Sequence, residues 1–183
     1  WGYPQITLVE LGSPPPGTPT AVGSYEGQFY ILDRTADGSG QIWRYRPEGD
    51  AYPDQPERYF PADPPQALGQ ATDMGIDGYV YVLHPDGHVT RFLGGEEQPF
   101  IMDDIPGGLG EVPGFAVDPK GDGSIYLADR SNDRVIVLDA EGRFRAQLRG
   151  DPPMTSLEAL AVSQARGRLW VLAGGKVYRA ILP

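Results

Sequence analysis

The only two histidines of this sequence, His84 and His88, flank the turn Pro85-Asp86-Gly87. With Asp86 between them they have the residue types of a two-histidine metal site. A turn of that composition joins strands, however, and histidines on opposite flanks of a hairpin need not converge, with no third ligand at a metal-binding spacing. Asp118-Pro119-Lys120-Gly121-Asp122-Gly123 concentrates carboxylates as a calcium loop does, yet it lacks the alternating acidic ladder and distal Glu of an EF-hand and reads as a hairpin turn. Gly94-Gly95, Gly107-Gly108-Leu109-Gly110 and Gly174-Gly175 precede no helix and contain no Lys-Ser/Thr, so they are turns and not phosphate cradles. No Gly-x-Ser-x-Gly elbow is present, and Gly38-Ser39-Gly40 falls in a loop. The neighbouring acids Glu96-Glu97 and Asp103-Asp104 read as solvated charge. These motifs lead to the expectation of no catalytic residue, no metal site and no cofactor.

Charge narrows the partners. The 183 residues carry a formal charge of -10, which opposes the phosphate neutralisation that dominates nucleic-acid affinity, so no nucleic acid is expected. The charge is uneven: residues 1–111 hold 17 acidic and five basic side chains, and residues 112–183 hold eight and ten. No apolar run approaches the ~18 residues of a membrane helix, so no membrane insertion by this segment is expected. The absence of cysteine excludes disulfides and thiolate chemistry and leaves the redox compartment open. A chain that opens on Trp1 fits either a removed leader or a piece of a longer protein.

The elements that must position these residues come from an internal repeat. Four segments share a small apolar run, a glycine-containing turn, an apolar run whose second residue is aromatic, another turn and a further alternating run. The second runs are Phe29-Tyr30-Ile31-Leu32, Val80-Tyr81-Val82-Leu83, Ile125-Tyr126-Leu127-Ala128 and Leu169-Trp170-Val171-Leu172. The aromatics Tyr30, Tyr81, Tyr126 and Trp170 lie 51, 45 and 44 residues apart, the spacing of propeller blades. The first runs, Thr20-Ala21-Val22, Met74-Gly75-Ile76, Phe115-Ala116-Val117 and Leu160-Ala161-Val162, suit inner strands crowded near an axis. The third runs begin at Gln41, His88, Arg134 and Lys176 and alternate with a period of two.

Outer strands are expected at 57–60, 98–102 and 144–148, and none in the last unit. The N-terminal run 5–11, which precedes Pro14-Pro15-Pro16, could close the last blade or belong to a blade before it. Residues 155–161 have a helix-like start, but they occupy an inner-strand slot, and the repeat outweighs propensity. The fold class is therefore all-β, a β-propeller of four-stranded antiparallel blades. A single domain over 1–183 is expected, with blades at about 18–62, 66–104, 112–150 and 154–183.

Residues 113–142 resemble the NHL repeat of β-propellers. The match runs through Pro113-Gly114-Phe115-Ala116-Val117-Asp118, Gly121, Gly123, Ile125-Tyr126-Leu127-Ala128-Asp129, Asn132-Asp133-Arg134-Val135, Leu138-Asp139 and Gly142. The first unit keeps Leu32-Asp33-Arg34, the second has His84-Pro85 there, and the last has Ala173-Gly174. The resemblance implies a ring more often of six blades than of four. For function it implies a protein- or ligand-binding platform, an extracellular sensor module, an RNA binder or, in a minority, a lyase or lactonase. Lactonase-type propellers bring Glu, Asn and Asp into a central channel from several blades, and this chain has a single asparagine.

The reading that follows is a non-enzymatic binding module, extracellular or periplasmic, with a protein or small-molecule ligand. Its alternative is a fragment of a lactonase- or lyase-like propeller. In propellers the loop between strands two and three and the loop between blades emerge on one face. Here that face would carry Arg34, His84, Arg130, Asn132 and Lys176. The competing role for Asp33-Arg34 and Asp129-Arg130 is an inter-blade salt bridge, since arginine suits bidentate pairing in either role.

Overall fold

In a computed structural model, residues 15–49, 51–52, 55–118, 123–163 and 167–182 are described. Four antiparallel sheets form a four-bladed β-propeller. Blade 1 holds β1 (Thr18–Tyr25), β2 (Gln28–Arg34), β3 (Gly40–Tyr45) and β4 (Glu57–Arg58). Blade 2 holds β5 (Asp73–Ile76), β6 (Val80–Leu83), β7 (Val89–Leu93) and β8 (Glu96–Gln98). Blade 3 holds β9 (Phe115–Val117), β10 (Ile125–Asp129), β11 (Arg134–Leu138) and β12 (Phe144–Leu148). Blade 4 holds β13 (Leu157–Ser163), β14 (Arg168–Ala173) and β15 (Lys176–Ile181). The expected closing strand at 5–11 lies outside the described residues.

The four aromatics occupy one position of the repeat. Tyr30 pairs with Gly23, Tyr81 with Gly75, Tyr126 with Ala116 and Trp170 with Ala161. The small residue opposite each ring serves close approach between inner strands. A Cβ on Gly75 would stand 2.6 Å from Val117 Cγ2 and 3.2 Å from the Phe115 ring of the next blade, and one on Gly23 3.0 Å from Ile76 Cδ1. Such contacts would force the inner strands apart.

Successive residues of a strand point to opposite faces, so each blade can pack on two neighbours. One core joins Tyr30 and Leu32 of blade 1 to Met74, Ile76, Val80 and Val82 of blade 2. A second joins Tyr81 and Leu83 to Phe115, Ile125 and Leu127 of blade 3. A third joins Tyr126 and Ala128 to Leu157, Leu169 and Val171 of blade 4. Inner strands touch in the same series, β1 with β5, β5 with β9 and β9 with β13, while β13 and β1 make no comparable contact.

Two outer strands differ from expectation. In blade 1 pairing stops at Arg58, and in blade 2 it covers Glu96–Gln98 and not 98–102, because the Gly94-Gly95 turn sets Leu93 opposite Glu96. Pro99 then supplies no N–H to extend the ladder. The apolar residues Tyr59, Phe60 and Phe100 leave the strands and plug the inter-blade cores, with Phe60 edge-on to Phe92 and Phe100 edge-on to Tyr81.

Candidate binding face

Register decides which loops share an edge. The start of each inner strand pairs with the end of the second strand: Thr18 with Arg34, Asp73 with Leu83, Phe115 with Leu127 and Leu157 with Ala173. The hairpins between strands two and three therefore emerge beside the connections that enter each blade. Arg34, His84, Arg130, Asn132 and Lys176 all lie on that edge, distributed over different junctions.

At the junction of blades 1 and 2, Arg34 Nε donates to Gly69 O at 2.7 Å. Gly69 belongs to a 3-10 turn, Gln66–Gln70, in the connection between the blades. Ala67 of the same turn lines an open pocket of about 390 Å³ with His84, Pro85, Asp86, His88 and Thr90. His84 is buried, and its Nε2 shares a hydrogen bond of 2.9 Å with Thr90 Oγ1. Burial, with a smaller contribution from His88, holds the His84 pKa below its ordinary value, so the ring favours the neutral form. The exposed His88 ring stacks over it at 6.2 Å between centroids. Asp86 Oδ1 accepts the His88 N–H at 3.0 Å, which pins the turn.

The junction of blades 3 and 4 repeats the arginine geometry. Arg130 Nε donates to Leu157 O at 2.7 Å, and Arg130 Nη1 pairs with Glu111 at 2.7 Å across a largely exposed surface. Arg34 and Arg130 are thus equivalent clasps, Arg34 reaching from the last residue of the second strand and Arg130 from the residue just after it to a carbonyl at the entry of the next blade. The competing expectation, inter-blade salt bridges from Asp33-Arg34 and Asp129-Arg130, is met at neither arginine's Nε, which goes to a carbonyl. Asp129 pairs instead with Arg134, whose Nε stands 2.7 Å from Oδ2, both side chains being buried.

Asn132 completes that cluster. Its Nδ2 donates to both oxygens of Asp129 at 2.9 Å, and Gly110 N donates to Asp129 Oδ1 at 3.1 Å. Arg134 also donates from Nη1 to Pro106 O at 2.7 Å and from Nη2 to Gly108 O, tying the 103–113 connection to blade 3. Lys176 stands exposed at the start of β15. The pocket brings His84 together with His88, and Arg34 reaches the same 3-10 turn, while at blade 3 Asn132 joins the Asp129–Arg134 cluster and Arg130 reaches Leu157 and Glu111.

Arg134, Glu111 and Asp73 have structural roles that motif reading passed over. Asp73 Oδ2 accepts the Phe115 N–H at 3.4 Å, linking blade 2 to blade 3, and burial raises the pKa of its carboxyl. The usable signal for Arg134 was its place in the NHL-like turn, five residues after Asp129. Among the described residues, no helix is long and apolar enough to cross a membrane, and no three His, Cys, Asp or Glu side chains form a metal-holding group.

No family model matches the sequence, and no curated protein does. Solved structures share its fold. The computationally designed Ika4 protein aligns with a TM-score of 0.63 and 16% identity over 98% of this chain and 99% of that one. A gluconolactonase from Xanthomonas campestris, XC5397, aligns with a TM-score of 0.58 and 19% identity over 87% of this chain and 55% of its own. YCF48, solved with a D1 peptide bound, aligns with a TM-score of 0.53 and 14% identity over 88% of this chain and 48% of its own. This chain thus matches Ika4 over almost its whole length and spans about half the length of the other two. At these identities the likeness shows the propeller fold and no activity.

Proposed function

We propose that this chain is a non-enzymatic, NHL-like binding module that holds a peptide segment or small polar ligand on the hairpin edge, centred on the junction of blades 1 and 2. The observation that carries this reading is the convergence of Arg34 and His84 on one connecting turn. Arg34 fixes Gly69, Ala67 of that turn walls the pocket, and His84, held by Thr90, forms the floor beneath the exposed His88 ring. A pocket whose polar groups are already oriented costs a ligand little ordering. The neutral His84 and the turn carbonyls suit an amide, while the Arg34 guanidinium, pinned only through Nε among the described residues, can offer its outer N–H groups to a carboxylate. That a propeller of the same fold, YCF48, holds a peptide supports the choice of ligand class.

Selection from a displayed random-peptide library, followed by chemical-shift mapping of the selected peptide, tests the proposal. The shifts are expected at residues 34, 66–70 and 84–90, and His88→Ala is expected to weaken binding at least tenfold while the melting temperature holds. Selected peptides that map to another face would remove this site. Turnover of a lactone substrate that is lost in His88→Ala would replace the binding reading with an enzymatic one.

A further inference from the structure

We infer that the two outward faces of the blade series are the unmet halves of one further blade interface, and that a second copy of this chain fills both. Each junction within the chain repeats one pattern. The second-strand aromatic and the small inner-strand residue beside it face the next blade, and they meet the alternate residues of that blade's first two strands. Among the described residues, blade 4 presents the same set with no blade against it. Trp170 and Leu172 are only half-buried, although their equivalents Tyr81 and Leu83 are fully enclosed. Ala161 is exposed, and on the same side of β15 lie Val177 and Ile181, 67% and 72% exposed.

Blade 1 presents the complementary set. Val22, paired with Ile31, holds the position of Met74 and Phe115, which pair with Val82 and Leu127. Met74 and Phe115 pack beneath Gly23 and Gly75 of the preceding blades and are 5% and 6% exposed, whereas Val22 is 71% exposed. Phe29 and Ile31 are likewise half-buried where Val80, Val82, Ile125 and Leu127 are enclosed. The surface that should lie on Val22 is therefore one bearing a small residue beside an aromatic, and blade 4 carries Ala161 beside Trp170.

Charge points the same way. Residues 154–183 carry four basic side chains and one acidic, and residues 18–62 carry seven acidic and four basic. Arg179 stands between Val177 and Ile181 on the free face of blade 4. Asp33, on the same side of β2 as Ile31, is itself fully enclosed; its Oδ2 accepts from Gly17 N and Trp43 Nε1, and its Oδ1 has no donor among the described residues. Blade 3 places Arg134 opposite Asp129, but blade 1 places Gln41 opposite Asp33.

A second copy satisfies both faces at once. Blade 4 of each copy would sit on blade 1 of the other, so a two-fold axis closes the assembly and no terminal face remains. Apolar faces of complementary shape, carried on blades of opposite net charge, give both affinity and register.

Light scattering coupled to gel filtration, over a concentration series, reads the assembly directly. The wild-type chain is expected at twice its 19.9 kDa. Val22→Arg and Val177→Arg are each expected to weaken association at least tenfold with unchanged circular dichroism, and Ile181→Arg replaces the latter if it fails to fold. Mixing the two variants should restore association, because one junction of the mixed pair is unsubstituted. A wild-type mass of 19.9 kDa at high micromolar concentration would overturn the inference. So would a dimer indifferent to every variant, or association that appears only after residues 1–14 are removed.

Discussion

Blade 3 and blade 4 have the same repeat and opposite surroundings. In blade 3 every residue of β10 and β11 is buried, while in blade 4 burial alternates along β14 and largely disappears along β15. Their sequences do not explain the contrast, since Leu169-Trp170-Val171-Leu172 is as apolar as Ile125-Tyr126-Leu127-Ala128. The difference is coverage. Among the described residues, blade 3 is packed between two neighbours and blade 4 against one. The stability of a strand in this fold is therefore set by its neighbours as much as by its own residues, as in other stacked repeats.

Breaking the covered blade should have the largest effect. Arg134→Ala strands the buried Asp129 carboxylate, which keeps Asn132 and Gly110 as its donors among the described residues. Denaturant unfolding should record a loss of about 3–5 kcal/mol, as for other buried pairs broken on one side. Blade 4 has Ala173 at the position of Asp129, so it holds no counterpart to lose.

A matched truncation sharpens the comparison. Leu127→Ala, fully enclosed, should cost about 2–5 kcal/mol. Leu172→Ala, on the free face, should cost about 1 kcal/mol or less when measured in a Val177→Arg background that holds the chain as a monomer. Equal losses at the two positions would mean that the free face of blade 4 is already covered within one chain.

Arg34→Ala removes a single charge-assisted hydrogen bond at a surface junction and should cost about 1 kcal/mol in thermal unfolding. Arg130→Ala should behave alike, which would mark both as clasps between blades. If Arg34→Ala also abolishes peptide binding, the residue serves both the junction and the ligand.

The smallest expected effect is that of pH. Burial favours the neutral form of His84, so its folded pKa lies below the unfolded value near 6.5. The unfolded chain takes up the proton first on acidification, and stability falls as pH drops through 6.5 toward the folded value. Burial instead raises the carboxyl pKa of Asp73 and Asp77, whose contribution is full below 3.8 and falls as pH rises through their folded values. Comparing melting temperatures of the wild type and His84→Gln from pH 8 to pH 5 isolates the histidine, and His84→Gln should show the shallower loss.

The repeat was legible because a two-residue period and a recurrent aromatic follow from local geometry. Tyr30, Tyr81, Tyr126 and Trp170 declare equivalent strands wherever the chain goes next. The outer strands were less legible because Tyr59, Phe60 and Phe100 are apolar enough to read as strand yet act as plugs between blades. At the proposed binding face, sequence placed Arg34, His84, Arg130, Asn132 and Lys176 on one edge but not their bonds. Whether an arginine meets the Asp beside it or a carbonyl of the next blade depends on how blades stack, which no local pattern encodes. The exposure of Val22 was invisible for the same reason: it matches Met74 and Phe115 in the repeat and differs only in lacking a blade above it.

Native-state hydrogen exchange of β14 and β15, compared between the wild-type chain and the Val177→Arg variant, tests most directly whether blade 4 awaits a neighbour. In the wild type at high concentration these amides should approach the protection of β10 and β11, and in the variant they should exchange much faster while β10 and β11 stay unchanged. Protection of β14 and β15 that is equal in the two proteins, and independent of concentration, would contradict it.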